Sequence, residues 1–259
     1  MALQLSSADG VGTIELDRPE QLNALTVEVA SSLGAAAEEL VDGGVRALVL
    51  AGRGPAFCAG ADLSLVHRAL EEEPATVLTP LVEGLHDSLR RIRRVPVPVI
   101  AAVEGPAVGA GMGLALAADL RVFGRTARLV PGYMGIGASP DGGVSYFLTR
   151  MVGAARAAAL LIRNRPVGAE EALALGLAES VVDEGTALDA ARALAASLTG
   201  LPPLALQRVR ELVDRATVQG LDDQLDLEQQ RVAELWDTFD FREGVGSFLE
   251  RRAPKFQGR

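Results

Sequence analysis

Apolar residues recur along this chain in two alternating rhythms. The runs at residues 11–16 (VGTIEL), 45–51 (VRALVLA) and 97–103 (VPVIAAV) are almost continuously apolar, which predicts short strands buried on both faces. Residues 119–124 and 127–130 read as two more short strands. Between these runs, residues 26–41 and 76–94 carry apolar positions at helical spacing, the first with Thr26 as N-cap and Gly43-Gly44 as a stop. Strands that alternate with helices predict an α/β fold with mostly parallel pairing. Beyond about residue 142 the rhythm changes. Helical spacing holds through 143–163, 169–176, 186–198, 203–218, 221–236 and 239–251, and only Val181-Val182 points to another strand. An α/β core over residues 1–200 followed by a helical segment over 201–259 is the expected organisation, with Pro202-Pro203 at the joint. The last helices present Leu225, Leu227, Val232, Leu235, Trp236 and Phe239, an apolar set that either folds back on the core or meets another subunit.

Composition narrows the chemistry more than the fold. With 259 residues, 49% hydrophobic and 23% charged, the chain reads as an ordinary globular protein, and a net charge of −9 argues against nucleic acid as a partner. Cys58 is the only cysteine, so an intramolecular disulfide and a cysteine-rich zinc site are both excluded; it is expected to pack as a small hydrophobe. His67 and His86 do not have the spacing of a zinc protease helix. Ser139 and Ser247 do not lie in a nucleophile elbow. No metal is expected. The N-terminus has no charged stretch followed by an apolar one, and the apolar region 95–118 is broken by Pro96, Pro98, Glu104 and Pro106. Neither a signal peptide nor a membrane span is expected, and a cytoplasmic location follows as the default. Arg90, Arg91, Arg93 and Arg94 are expected at a solvated helix end, where cations complement the dipole.

Twelve of the 28 glycines fall in three loops: 52–63 (GRGPAFCAGADL), 104–113 (EGPAVGAGMG) and 132–143 (GYMGIGASPDGG). Each adjoins a strand and precedes a helical run, so free backbone N–H groups point at whatever the loop surrounds. Two such loops facing each other suffice to grip an oxygen that becomes negative during reaction. A dinucleotide fingerprint at Gly109, Gly111 and Gly113 fails, because Leu114 stands where the third glycine belongs and no acidic residue ends a following strand.

Four ordered motifs then carry a resemblance. FCAGADL, PVIAAVEGPAVGAGMGLALAAD, GIGASPDGGVSYFLTRMVG and FREGVGSFLERRAPKF, with DRPEQLNAL near the start, are similar to the crotonase (enoyl-CoA hydratase/isomerase) superfamily from about residue 10 to the C-terminus. The resemblance implies a spiral of ββα units, a helical C-terminal trimerisation region, and assembly as a homotrimer or a dimer of trimers. It implies an acyl-CoA thioester substrate, with no cofactor beyond the CoA moiety. The backbone N–H groups of Ala61 and Ala110 would form the oxyanion hole. Ala59, Gly60, Asp62, Leu63 and Gly109 would line the thioester, and Phe248 and Arg251 would contact CoA from a neighbouring subunit.

The resemblance also separates reactions within the family. Hydration needs two carboxylates, and the positions where hydratases carry them hold Gly113 and Gly132. Asp141, in SPDGG, remains; relatives that shift double bonds use an aspartate there to move a proton. The expected activity is therefore double-bond isomerisation, with Asp141 as acid/base. Alternatives stay open: Asp141 as a nucleophile in the manner of 4-chlorobenzoyl-CoA dehalogenases, with His86 and Tyr133 at the helper positions, or a silent acyl-CoA-binding member. Asp141 also stands where a turn aspartate would cap the next helix, and Glu104 is a second, weaker carboxylate candidate with a turn role as its alternative.

Overall fold

The computed structural model describes residues 2–259. Nine strands run as β1 (Leu3–Ala8), β2 (Val11–Leu16), β3 (Ala47–Gly52), β4 (Val99–Val103), β5 (Pro106–Val108), β6 (Leu120–Gly124), β7 (Arg128–Val130), β8 (Val167–Gly168) and β9 (Ser180–Val182). Eleven helices connect or follow them: α1 (Val27–Asp42), α2 (Leu63–Glu71), α3 (Pro74–Arg94), α4 (Ala110–Ala117), α5 (Val144–Val152), α6 (Ala154–Ile162), α7 (Ala169–Ala174), α8 (Ala187–Leu198), α9 (Pro203–Ala216), α10 (Leu221–Trp236) and α11 (Phe239–Glu250). Six strands form one sheet in the order β1-β2-β3-β4-β6-β9, parallel except at the β1–β2 hairpin, and β5-β7-β8 form a second, smaller sheet. The repeated unit is a strand for the large sheet, a strand for the small one and then a helix, as in β4-β5-α4 and β6-β7-α5. This is the spiral that the resemblance implies.

The continuous apolar strands have the predicted cause. In β3, Leu48 and Leu50 face the core under α1 and α3, while Ala47, Val49 and Ala51 face α8. Helix α8 presents Ala187, Ala191 and Ala195 to that sheet face at four-residue spacing, and all three are fully buried. Cys58 is fully buried and its thiol is pushed up to about 12 by burial, consistent with a packing role. Thr26 caps α1 by accepting from the Val29 N–H at 3.2 Å, as its sequence position predicts.

Some expectations are corrected. Strand β1 carries no apolar stripe to announce it, since five of its six residues are exposed at the sheet edge. The helical stretch 143–163 is two helices, because Gly153 adopts φ 78°, ψ 156° between them. The arginine cluster ends α3 as expected, but only Arg90 and Arg94 are exposed there. Arg91 pairs with Glu38, and Arg93 reaches Asp119 and Asp214, both at 2.7 Å.

Asp119 is the centre of that second network. Its carboxylate accepts from Arg93, from Arg210 Nε at 3.0 Å and from the Val99 N–H at 2.8 Å, so it ties α3, α9 and β4 together. Arg210 also donates to the carbonyls of Val95 and Val97. Removing Asp119 leaves the Val99 N–H without its acceptor and takes the shared carboxylate from Arg93 and Arg210, which keep only their remaining partners. Asp119→Ala is expected to cost about 2 kcal/mol, seen in thermal unfolding as a Tm lower by roughly 4–8 °C.

Candidate active site

The three glycine-rich loops converge where the small sheet meets α4. The bridge between Cys58 and Ala107 brings the first loop alongside β5. A Cβ placed on Gly60 would lie 2.9 Å from the Val108 carbonyl oxygen and 3.8 Å from the Ala110 nitrogen, so the first two loops touch. Gly109 has φ 51° and ψ −116°, a conformation open only to glycine, and α4 starts at the residue after it, where the first-turn N–H groups have no partner within the helix. Among the described residues, the N–H groups of Ala61 and Ala110 have no hydrogen-bond acceptor. The neighbouring groups do: the Ala59 N–H bonds to the Leu22 carbonyl, the Gly60 carbonyl accepts from Leu25, and the Asp62 N–H bonds back to Leu25.

The expected contact residues Asp62, Leu63, Phe248 and Arg251 sit in different surroundings. The Asp62 carboxylate is already engaged by Ser64 N at 2.9 Å, Ser64 Oγ at 2.6 Å and Arg18 Nη2 at 2.8 Å. Those bonds cap α2 and, with Ser64 leading, hold the carboxyl below the usual carboxylate range. Leu63 opens α2 with its side chain in solvent, and Phe248 and Arg251 are exposed at the end of α11.

Asp141 enters from the third loop. Its Oδ1 accepts a hydrogen bond from Tyr133 Oη at 3.0 Å, and Tyr133 is 7% exposed. The phenol ring lies beside Gly109, with ring atoms 3.8 Å from where a Cβ would stand, so one residue spans the α4 loop and the aspartate. Burial first, and then the neighbouring carboxylate, pushes the phenol pKa up, which keeps Tyr133 a neutral donor. The capping alternative for Asp141 does not describe its carboxylate. Helix α5 begins after Gly143 without a side-chain cap, and only the Asp141 main-chain carbonyl accepts from Val144.

The other candidate side chains, His86 and Glu104, make no hydrogen bond to the aspartate. His86 lies on α3 in a cleft of about 570 Å³ shared with Arg90, Gly143, Tyr146 and Phe147, and makes no hydrogen bond to Asp141. Glu104 accepts from the Ala187 N–H at 3.0 Å and so caps α8 on the opposite side of the sheet. Among the described residues, no cluster of three or more metal-ligating side chains occurs and no helix is long and apolar enough to cross a membrane.

Gly113 and Gly132, the glycines that the resemblance sets at hydratase carboxylate positions, have structural reasons. A Cβ on Gly113 would meet the Gly142 carbonyl oxygen at 2.1 Å, because the main chain beside Asp141 rests directly on α4 there. Gly132 has φ 79° and a Cβ would be 3.2 Å from Val108 Cγ1.

Comparison with known proteins agrees with this architecture. The family model for enoyl-CoA hydratase/isomerase matches residues 6–259. The chain belongs to the enoyl-CoA hydratase/isomerase family. It is 38% identical over 253 residues to a 1,2-epoxyphenylacetyl-CoA isomerase of Escherichia coli, a match covering 96% of each chain. An enoyl-CoA hydratase from Polaromonas superposes with a TM-score of 0.94 at 35% identity, covering 99% of this chain and 100% of that one. An enoyl-CoA hydratase from Bacillus anthracis superposes with a TM-score of 0.91 at 28% identity, covering both chains fully. The crotonase fold expected from the motifs is the fold of these neighbours.

Sequence reading passed over Arg18 and Asn23. Both were visible inside DRPEQLNAL, but nothing in their spacing says that they brace the first glycine loop.

Proposed function

We propose that this chain is an acyl-CoA double-bond isomerase in which Asp141 moves the proton and the N–H groups of Ala61 and Ala110 hold the thioester oxygen. The observation that carries the reading is the pairing at the third loop: one half-buried carboxylate, fixed by a neutral phenol, facing a family site whose two hydratase positions are glycine. The name of the Escherichia coli relative supports isomerase chemistry over hydration.

The steps balance with one carboxylate. Asp141 Oδ2 takes a proton from C2 of a 3-enoyl thioester, and the electron pair moves through C1 onto the thioester oxygen. Two N–H donors aimed at that oxygen stabilise the dienolate, each worth roughly 3–4 kcal/mol. The same carboxylic acid then returns the proton to C4, the double bond settles between C2 and C3, and the carboxylate is restored. Tyr133 keeps Oδ1 occupied throughout, which leaves Oδ2 as the oxygen that transfers the proton. Phe248 and Arg251 would reach CoA on a neighbouring subunit of a trimer or a dimer of trimers, with the guanidinium suited to a phosphate.

The test offers the purified protein 3-hexenoyl-CoA and crotonyl-CoA side by side. Conversion of the first to the 2-enoyl thioester, with crotonyl-CoA unconsumed, is the expected result; hydration of crotonyl-CoA at a comparable rate overturns it. Chloride release from 4-chlorobenzoyl-CoA would instead favour nucleophilic chemistry at Asp141, and binding without turnover would favour a silent family member. Tyr133→Phe removes the only donor on Oδ1 among the described residues, and kcat for the 3-enoyl substrate is expected to fall about tenfold with a smaller change in KM.

A further inference from the structure

The DRPEQLNAL motif lies outside the proton-transfer site, yet it is built into the first glycine loop. Asn23 is 1% exposed and holds the left-handed conformation, φ 56°. Its amide donates to the carbonyls of Arg53 at 2.9 Å and Ala56 at 2.8 Å, and its Oδ1 accepts from the Arg18 N–H at 2.9 Å. Arg18 then crosses to the far end of the loop. One guanidinium nitrogen donates to the Ala24 carbonyl at 2.5 Å and another to Asp62 Oδ2 at 2.8 Å.

The consequence falls on Ala61. Leu25, which is fully buried, receives both flanking peptides: its N–H binds the Gly60 carbonyl at 2.7 Å, and its carbonyl binds the Asp62 N–H at 3.0 Å. In a trans peptide the C=O and N–H point in opposite directions. Anchoring the Gly60 carbonyl on Leu25 therefore turns the Ala61 N–H away from Leu25. Arg18 bonds to the residue before Leu25 and to the residue after Ala61, so it locks both sides of this bridge with one planar fork.

We propose that Arg18, supported by Asn23, is a positioning residue that fixes the direction of the Ala61 N–H for transition-state stabilisation. This rests on the reading of Ala61 as an oxyanion donor. The Asp62 carboxyl is held below its usual range by Ser64 and by Arg18, so the ion pair stays charged at neutral pH.

The experiment uses the full chain and a 2-enoyl-CoA carrying ¹³C at the thioester carbonyl, whose stretch is followed by infrared difference spectroscopy. The wild type is expected to lower the bound carbonyl frequency relative to the free thioester. Arg18→Met is expected to bind the thioester within a few-fold of wild type, lose much of that shift, and lose about 10- to 100-fold in kcat with little change in KM. A variant with the wild-type carbonyl shift and wild-type kcat overturns the positioning role. If Arg18→Met does not fold, Arg18→Lys serves the same test: it keeps the charge near Asp62 but cannot span both acceptors, and the shift is expected to fall partway. No carbonyl shift in the wild type would instead remove the oxyanion reading itself, and the inference with it.

Discussion

Asp141→Asn is expected to slow isomerisation of a 3-enoyl-CoA by about 10²- to 10⁴-fold, with KM for the thioester changed by only a few-fold. The substitution is nearly isosteric. The amide oxygen still accepts from Tyr133 Oη, which now bonds Asp141 Oδ1 at 3.0 Å, while the amide nitrogen takes the place of Oδ2 and cannot accept a proton. In the proposed reaction the thioester is held by the Ala61 and Ala110 N–H groups and not by this side chain, so the loss is expected to fall on kcat. Steady-state kinetics on the purified variant decide the matter, and isomerisation at the wild-type rate would exclude Asp141 as the acid/base.

The second large effect concerns what cannot be added. A glutamate introduced at position 113 looks like a route to hydratase activity, because the motif resemblance implies one at that position in hydratases. The packing forbids it: a Cβ at that position meets the Gly142 carbonyl oxygen at 2.1 Å and its carbonyl carbon at 2.9 Å. These are main-chain atoms with no rotamer to escape into, and they belong to the loop that presents Asp141. Gly113→Glu must push that loop off α4 and is expected to cost roughly 3–5 kcal/mol, to lower Tm by about 10 °C or more, and to abolish isomerisation without conferring hydration. Gly113→Ala tests the steric cause alone, and a stability loss in the same direction is expected from its single methyl group. A well-folded Gly113→Glu protein that hydrates crotonyl-CoA would show that the loop is free to move.

The alternation of apolar runs and helical spacing was enough to read the parallel core, because strands such as β3 bury side chains on both faces. The same logic cannot see β1, an edge strand exposed along most of its length, nor the break at Gly153, where an alanine-rich pattern continues across a residue with positive φ. At the site, Asp141 and the loop donors could be named from motif positions, but their surroundings could not. The Tyr133–Asp141 hydrogen bond spans eight residues of loop, and the Arg18–Asp62 pair joins residues 44 apart. Such contacts are products of tertiary packing and leave no periodic trace. Asp62 shows the same limit: its motif position could be named, whereas the engagement of its carboxylate by Ser64 and Arg18 could not be read from the sequence.

A crystal structure with a non-reactive 3-enoyl-CoA analogue bound decides whether Asp141 and the two loop N–H groups act on the same thioester. The thioester oxygen is expected about 2.7–3.1 Å from the Ala61 and Ala110 nitrogens. Asp141 Oδ2 is expected within about 3–3.5 Å of both C2 and C4 of the acyl chain, with Oδ1 still held by Tyr133. A carboxylate turned away from the acyl carbons, or a thioester oxygen bound outside the two N–H groups, would contradict it.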